Sequence, residues 1–251
     1  MDEEQIWRLC MLAGHQLLRY GAETSRIEET ITHFAVSAGV QMDHVQCFVT
    51  PTGIFVSMTT TAGTTTRLER VSGSRILDLD KVTQINELSR KMQRGECSID
   101  EALIKLEALD HAPLLYSRPV QILAAALSSG SFTIILGGAG LDFIYGAVGG
   151  IIAQELTRWT VRYVPRFFAV LLASLVGSLF AVFISIVGLS KHEGVIIIGA
   201  ILPLLPGLAV TNAIRDLLAG DLLAGVARGA EALFTAAAIA VAVALAISIS
   251  T

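Results

Sequence analysis

The residues best equipped for chemistry lie between Gly199 and Glu231. The run Gly199-Ala-Ile-Leu-Pro-Leu-Leu-Pro-Gly207 sets Pro203 and Pro206 inside an apolar stretch, and Asn212, Arg215 and Asp216 follow it closely. Each proline lacks an amide proton and clashes with the carbonyl four residues back. The carbonyls of Gly199 and Leu202 are therefore expected to be freed, and Gly207 permits unusual dihedrals. Irregular backbone at membrane depth persists only where it is buried in protein or lines a polar cavity. Broken helices of this kind build substrate and ion sites in transporters; a structural kink with no ligand is the alternative. Asn212 stands i,i+4 to Asp216 and i,i+3 to Arg215, so it can contact either, and Arg228 stands i,i+3 to Glu231, with Asp221 between the two groups. An arginine or aspartate at the centre of a membrane helix costs about 2.5–3.5 kcal/mol. These residues therefore either serve a polar path or sit at the cytoplasmic interface, as Asp142 does on the other side.

The elements that must position them follow from the distribution of charge. Residues 1–118 hold 12 Lys/Arg and 16 Asp/Glu, whereas residues 119–251 hold 6 and 6, so the 53% hydrophobic content averages two unlike halves. Five apolar stretches fill the second half: Pro119 to Leu141, Leu141 to Leu156, Phe167 to Leu189, Gly194 to Ile214 and Ala232 to Thr251. About 20 apolar residues span a bilayer as a helix, and the second stretch is short. The expected architecture is an α+β cytoplasmic domain (1–118) followed by an all-α polytopic membrane domain (119–251) of about five transmembrane helices. The acidic Met1-Asp2-Glu3-Glu4 leads into an amphipathic pattern and not an apolar signal-peptide run, which keeps the N-terminal domain in the cytoplasm. Short loops then place Arg158, Arg162, Arg166, Arg215 and Arg228 inside and Lys191 outside, as the positive-inside tendency expects, and the C-terminus falls outside. Gly146/Gly150 and Gly225/Gly229 have the G-x-x-x-G spacing that lets helices approach closely in lipid.

In the first half, Ile6, Leu9, Cys10, Ala13 and Leu17 make one helical stripe, and Ile27, Ile31, Phe34 and Ala38 a second, which a Ser25/Glu28 capping box would open. Period-two runs over His44–Thr50, Gly53–Thr60 and Thr64–Val71 predict three strands, with turns at Pro51-Thr52-Gly53 and Ala62-Gly63 in a threonine-rich hairpin (Thr59–Thr61, Thr64–Thr66). Asp80 is expected to cap a helix using Val82, Ile85, Leu88 and Met92, and Ser98/Glu101 to box the next, with Ala102, Leu103 and Leu106 inward. A domain of about 110 residues leans on the membrane part or on a second copy for stability.

Several functions are disfavoured. There is no G-x-S-x-G, P-loop, G-x-G-x-x-G or H-E-x-x-H motif, so no enzyme activity is expected, nor a cofactor. The histidines of this half are scattered, and Cys10, Cys47 and Cys97 form no C-x-x-C pair, so no metal site is expected. A net charge of −4 without a basic cluster gives no reason to expect nucleic acid.

Tyr20-Gly21-Ala22-Glu23-Thr24-Ser25-Arg26-Ile27-Glu28, Pro51-Thr52-Gly53-Ile54, Thr66-Arg67, and Leu204-Leu205-Pro206-Gly207 through Asn212-Ala213-Ile214-Arg215-Asp216 together resemble the threonine/serine exporter family, and in particular its split, YjjP-like half. The resemblance covers essentially the full length. It implies a multi-pass subunit of the cell inner membrane that exports small carboxylate-bearing solutes, threonine/serine-like amino acids or a dicarboxylate such as succinate, driven by the proton motive force. It also implies a hetero-oligomer with a second, smaller YjjB-like membrane subunit, within lipid and with room for a higher oligomer. Pro206, Gly207, Asn212, Asp216 and Arg228 match the family pattern. On the combined reading Arg215 or Arg228 attracts the solute's carboxylate, the backbone from Pro203 to Gly207 completes the substrate site, and Asp216, Asp221 or Glu231 carries a proton. The alternative is a non-transporting membrane sensor or assembly protein whose cytoplasmic domain recruits partners.

Overall fold

The computed structural model describes residues 3–60, 63–71 and 77–250. Met1, Asp2, Thr61, Ala62 and Thr251, on which parts of the N-terminal, hairpin and last-span expectations fall, lie outside the described residues. Contacts divide the chain into two compact units: residues 1–115 with 211–228, and residues 116–210 with 229–251.

The first unit begins with α1 (Glu3–Arg19) and α2 (Thr24–Ser37). Both expected stripes are inside: Leu9, Cys10, Ala13, Leu17, Ile27, Ile31 and Phe34 are completely buried. A short 3-10 turn, Met42–His44, precedes an antiparallel sheet of β1 (Val45–Thr50), β2 (Gly53–Thr60) and β3 (Gly63–Arg70), in the order β1-β2-β3. Val45, Val49, Ile54, Val56 and Met58 close its inner face, as period-two spacing requires. The unit continues through α3 (Leu79–Gln93) and α4 (Ile99–His111).

Two cap assignments are corrected. α2 starts at Thr24, one residue ahead of Ser25, with no side-chain cap. Glu28 instead accepts the Val49 amide of β1 at 2.9 Å, because that strand lies within reach of the second helical turn. α3 is capped by Asp78, which accepts from the Lys81 amide at 3.2 Å, leaving Asp80 inside the helix. The Ser98/Glu101 box is formed in both directions. Arg67 and Glu69 are surface charges with partners. Arg67 grips Glu4 through both guanidinium nitrogens and lies 4.9 Å over the Trp7 ring, and Glu69 reaches His15 at 2.5 Å.

The second unit is helical. α5 (Arg118–Ile135), α6 (Asp142–Thr160), α7 (Arg166–Ile186) and α8 (Glu193–Ile201) lie in it, followed in sequence by a 3-10 turn at Leu202–Leu204, α9 (Gly207–Ala219) and α10 (Leu222–Ser250). Among these, α7 and α10 are each long and apolar enough to cross a membrane. α8 and α9, bent by 59° at their break, make a third span if taken as one. That is fewer than five. α6 carries Asp142, Glu155 and Arg158, and α5 opens on Arg118 and holds Gln121 and several hydroxyl residues, which lowers the apolar content of both.

Small residues govern the packing here. A Cβ on Gly146 or Gly199 would collide with the Thr133 hydroxyl, and one on Gly150 with that of Ser129. α5 therefore lies against α6 and α8 at backbone distance. Asp142, at the start of α6, is 3% exposed, accepts the Ala139 amide at 2.6 Å and meets His192 Nδ1 at 2.7 Å.

Candidate functional site

The turn between α1 and α2 is built by Gly21, whose φ of +87° belongs to the left-handed region. A side chain there would be strained, and its Cβ would lie 3.0 Å from Leu77. The turn leaves the carbonyls of Gly21 and Ala22 and the amide of Thr24 pointing away from their own helices, while Glu23 Oε1 accepts from Arg26 Nε of α2 at 3.1 Å and its Oε2 is left for a more distant partner. An amide at a helix start has no intrahelical acceptor.

All four groups find partners between residues 212 and 228. α9 carries Asn212, Arg215 and Asp216 at i, i+3 and i+4, on one face, and Arg228 comes from the first turns of α10. Asn212 Nδ2 donates to the Gly21 carbonyl at 3.3 Å, and Arg228 Nη2 to the Ala22 carbonyl at 2.9 Å. Arg215 Nη1 donates to Glu23 Oε2 at 2.6 Å. The Thr24 amide donates to Asp216 Oδ1 at 3.1 Å, and Asp216 Oδ2 stands 3.3 Å from Arg228 Nε. Asp216 is completely buried and Arg228 is 6% exposed, so this pair is shielded from water. Arg215, by contrast, keeps 60% of its side chain exposed. Gly220, at φ +93°, turns the chain from α9 into α10, and the Asp221 amide donates to the Asp216 carbonyl at 2.9 Å.

The field at this cluster is divided. Burial opposes the charge on Glu23, but Arg215 and then Arg26 outweigh it and hold its carboxyl below the ordinary range. Burial pushes the Glu28 carboxyl up; the Val49 amide opposes this, while Asp221 and Asp216 add to it. Burial likewise raises Asp221, with Asp216 reinforcing the shift and Arg228 resisting it. One carboxylate is thus held as an anion by arginine, and two others nearby take up protons more readily than usual.

Asn212, Arg215, Asp216, Asp221 and Arg228 are therefore brought together. Pro203, Pro206, Gly207 and Glu231 belong to the second unit or its boundary. There the expected free carbonyls are absent: Gly199 O accepts from the Leu202 amide, and Leu202 O from the Leu205 amide at 3.2 Å. The chain tightens into a 3-10 turn, which reassigns the acceptors that the prolines would strand. Gly207 is not at positive φ, and a Cβ on it would meet open space, so neither conformation nor crowding demands glycine. Glu231 lines a cleft of about 400 Å³ with Arg166, Phe167, Phe234 and Thr235. Asn212, whose spacing allows contact with Arg215 or Asp216, bonds to Gly21. Ala22, Glu23 and Thr24 are participants that spacing could not reveal, because their partners lie 192 positions away for Glu23 and Thr24 and 206 for Ala22. Glu28 joins them only through the fields of Asp221 and Asp216. Among the described residues, no three His, Cys, Asp or Glu side chains gather as metal ligands.

Comparison with known proteins places this arrangement in context. Residues 8–250 match the family described as "Putative threonine/serine exporter" (ThrE). The chain is 23% identical over 233 residues to a Klebsiella aerogenes protein named "Probable succinate transporter subunit YjjP", covering 91% of this chain and 88% of that one. It is 24% identical over 241 residues to the "Probable threonine/serine exporter" of Mycobacterium tuberculosis and 25% identical over 244 residues to the "Threonine/serine exporter" of Corynebacterium glutamicum. These matches cover 95% and 92% of this chain but 45% and 49% of those proteins, so the chain spans about half the length of either exporter. No solved structure matches it. With a membrane-spanning helical region and a family match over nearly its whole length, the chain belongs to the threonine/serine exporter family of membrane transporters.

Proposed function

We propose that this chain is one subunit of an exporter of small carboxylate-bearing solutes, either threonine/serine-like amino acids or a dicarboxylate such as succinate, and that a second, smaller YjjB-like membrane subunit completes it. The observation that carries the reading is the Arg215–Glu23 pair beside Arg228. Two guanidinium groups converge on one turn, and one already holds a carboxylate at 2.6 Å. Glu23 is an internal stand-in for the solute. Export begins when a solute carboxylate replaces it on the half-open Arg215, a charge-assisted exchange between like groups. Asp216 then serves the coupling: a proton there cancels the attraction to Arg228 and weakens the hold on the Thr24 amide, freeing the turn. Asp221 and Glu231 are the further proton carriers in this scheme, and Pro203 to Gly207 the bend that lets the helix pair move.

The need for a partner is supported by the chain's coverage of half of the longer exporters and most of a protein named as a subunit. A cytoplasmic N-terminal domain and an external C-terminus fit the loop charges, with Arg166 inside, Lys191 outside and Arg215 inside. In the second unit, Asp142 pairs with His192, while Arg118 pairs with Glu155 and Arg158 with Gln121, as expected of two opposite ends of a helical bundle.

Efflux of threonine, serine and succinate from cells making both subunits tests the reading. Arg215→Gln should cut export roughly tenfold or more, the loss of one charge-assisted hydrogen bond. Glu23→Gln should lower the solute concentration giving half-maximal export, because the internal competitor is weakened. Equal export by wild type and Arg215→Gln at equal protein levels would overturn the site, and so would a Glu23→Gln chain that behaves like Arg215→Gln.

A further inference from the structure

The sheet of the first unit ends on one side at β3, which pairs with β2 and has no second strand partner among the described residues. One hydrogen bond fixes which of its backbone groups face that open edge. Val71 N–H donates to Thr52 C=O at 3.0 Å. Antiparallel pairs alternate between hydrogen-bonded and non-bonded. Ile54↔Glu69, Val56↔Arg67 and Met58↔Thr65 are therefore the bonded pairs, and Phe55↔Leu68 and Ser57↔Thr66 the non-bonded ones. The N–H and C=O groups of Thr66, Leu68 and Arg70 consequently point outward, away from β2.

The outer face of the sheet carries an apolar row that runs to this edge. Phe48, Phe55 and Leu68 are directly opposite one another across the three strands. They are 53%, 38% and 61% exposed, and the two rings lie 5.9 Å apart. Three large apolar side chains in line, ending at unpaired backbone, are a template for another strand.

We propose that this strand is β3 of a second copy, antiparallel, with the two-fold axis through Leu68. Charge selects that register, since any axis on a residue of β3 pairs outward groups with outward groups and only the facing side chains differ. An axis at Arg67 also uses the outward groups of Thr66 and Leu68, but it sets the two Arg67 side chains opposite each other at a non-bonded position, where facing side chains are closest. An axis at Thr66 uses outward groups but puts Arg67 opposite Thr65 and Leu68 opposite Thr64. With the axis at Leu68, the two Leu68 residues exchange outward N–H···O=C bonds and Arg67 faces the partner copy's Glu69 twice. Those charge pairs fall at non-bonded positions, where facing side chains are closest. The apolar row becomes continuous over six strands. Charges on an edge strand ordinarily prevent pairing; here their alternation admits one register and rejects its neighbours. Arg67 and Glu69 keep 38% and 35% of their side chains exposed beside Glu4 and His15, so each retains surface for a second partner.

Site-directed cross-linking in membranes of the full-length chain, made with its partner subunit, tests this. Leu68→Cys treated with a short dithiol-specific cross-linker should give a species of twice the chain's mass, and Thr64→Cys much less. The parent chain supplies the background, which comes from the half-buried Cys47, since Cys10 and Cys97 are buried. Arg67→Glu and Glu69→Arg in the Leu68→Cys background should each abolish the dimer, and the double charge swap should restore it. Thr66→Pro removes an edge-facing amide and leaves the β2 ladder intact, so it too should abolish the dimer. The inference is overturned if the Leu68→Cys variant gives no dimer while resisting proteolysis like the parent. It is equally overturned if the cross-linked species contains a different protein, if Thr64→Cys cross-links as well as Leu68→Cys, or if the single charge changes leave the dimer intact.

Discussion

The two units bury opposite kinds of residue. In the first, the completely buried side chains include Phe34, Leu9, Leu17, Ile27, Ile31, Ile85 and Leu106. In the second they include Ser129, Thr133, Ala153, Ala173, Ser174, Ser178, Ala200 and Ala242, with Ile196 among the few large ones, while Phe183, Ile186, Leu233 and Phe234 lie outside. Water expels apolar surface and so fills the first core with bulk. Lipid is as apolar as leucine and offers no such drive, so the second unit holds together where backbones come close. Composition alone describes both as hydrophobic, and the direction in which size is distributed tells them apart.

Substitutions that change size should therefore act in opposite senses. Phe34→Ala removes a completely buried ring and should cost about 3–5 kcal/mol, whereas Phe183→Ala, 58% exposed on α7, should cost less than about 1 kcal/mol. Denaturation of the purified chain in detergent, read in both variants, would break the comparison if the two costs were alike. The next effect is the inverse one. Gly199→Leu drives a side chain into Thr133 and within 3.0 Å of the Ser129 carbonyl, and should cost about 1–3 kcal/mol or abolish assembly, while Gly207→Leu, which meets open space, should be nearly neutral; thermal aggregation in detergent separates them. The smallest effect sharpens the boundary. Ser98→Ala deletes a two-way capping box of the first unit and should cost about 1 kcal/mol, seen as faster amide exchange at the start of α4 with no change in α7.

Periodicity made much of this legible. The stripes of α1 to α4 and the inner faces of β1 and β2 are local patterns, and one hydrogen bond or one face at a time suffices to fix them. What escaped was non-local. Ser25 and Glu28 spell a capping box, yet Glu28 is taken by Val49 and the helix begins at Thr24, whose amide is held by Asp216. Asp80 loses its cap to Asp78 for want of two residues. The site was half legible: Asn212, Arg215, Asp216 and Arg228 stand out as polar groups flanking apolar runs, but Glu23 looks like any surface acid until Arg215 is seen against it. Pro203 and Pro206 correctly marked a break, and the acceptors they strand are recovered by a 3-10 turn that local sequence could not specify.

The segment from Thr211 to Arg228 completes the compact unit that α1 begins, and this has a consequence for biogenesis. Translation proceeds from the N-terminus, so the amide of Thr24 and the carbonyl of Ala22 leave the ribosome long before Asp216 and Arg228 exist to receive them. In the interval the chain from Tyr116 to Val210 is synthesised. The opening unit can lock shut only once that stretch and the segment after it have been made, so its closure comes late in synthesis.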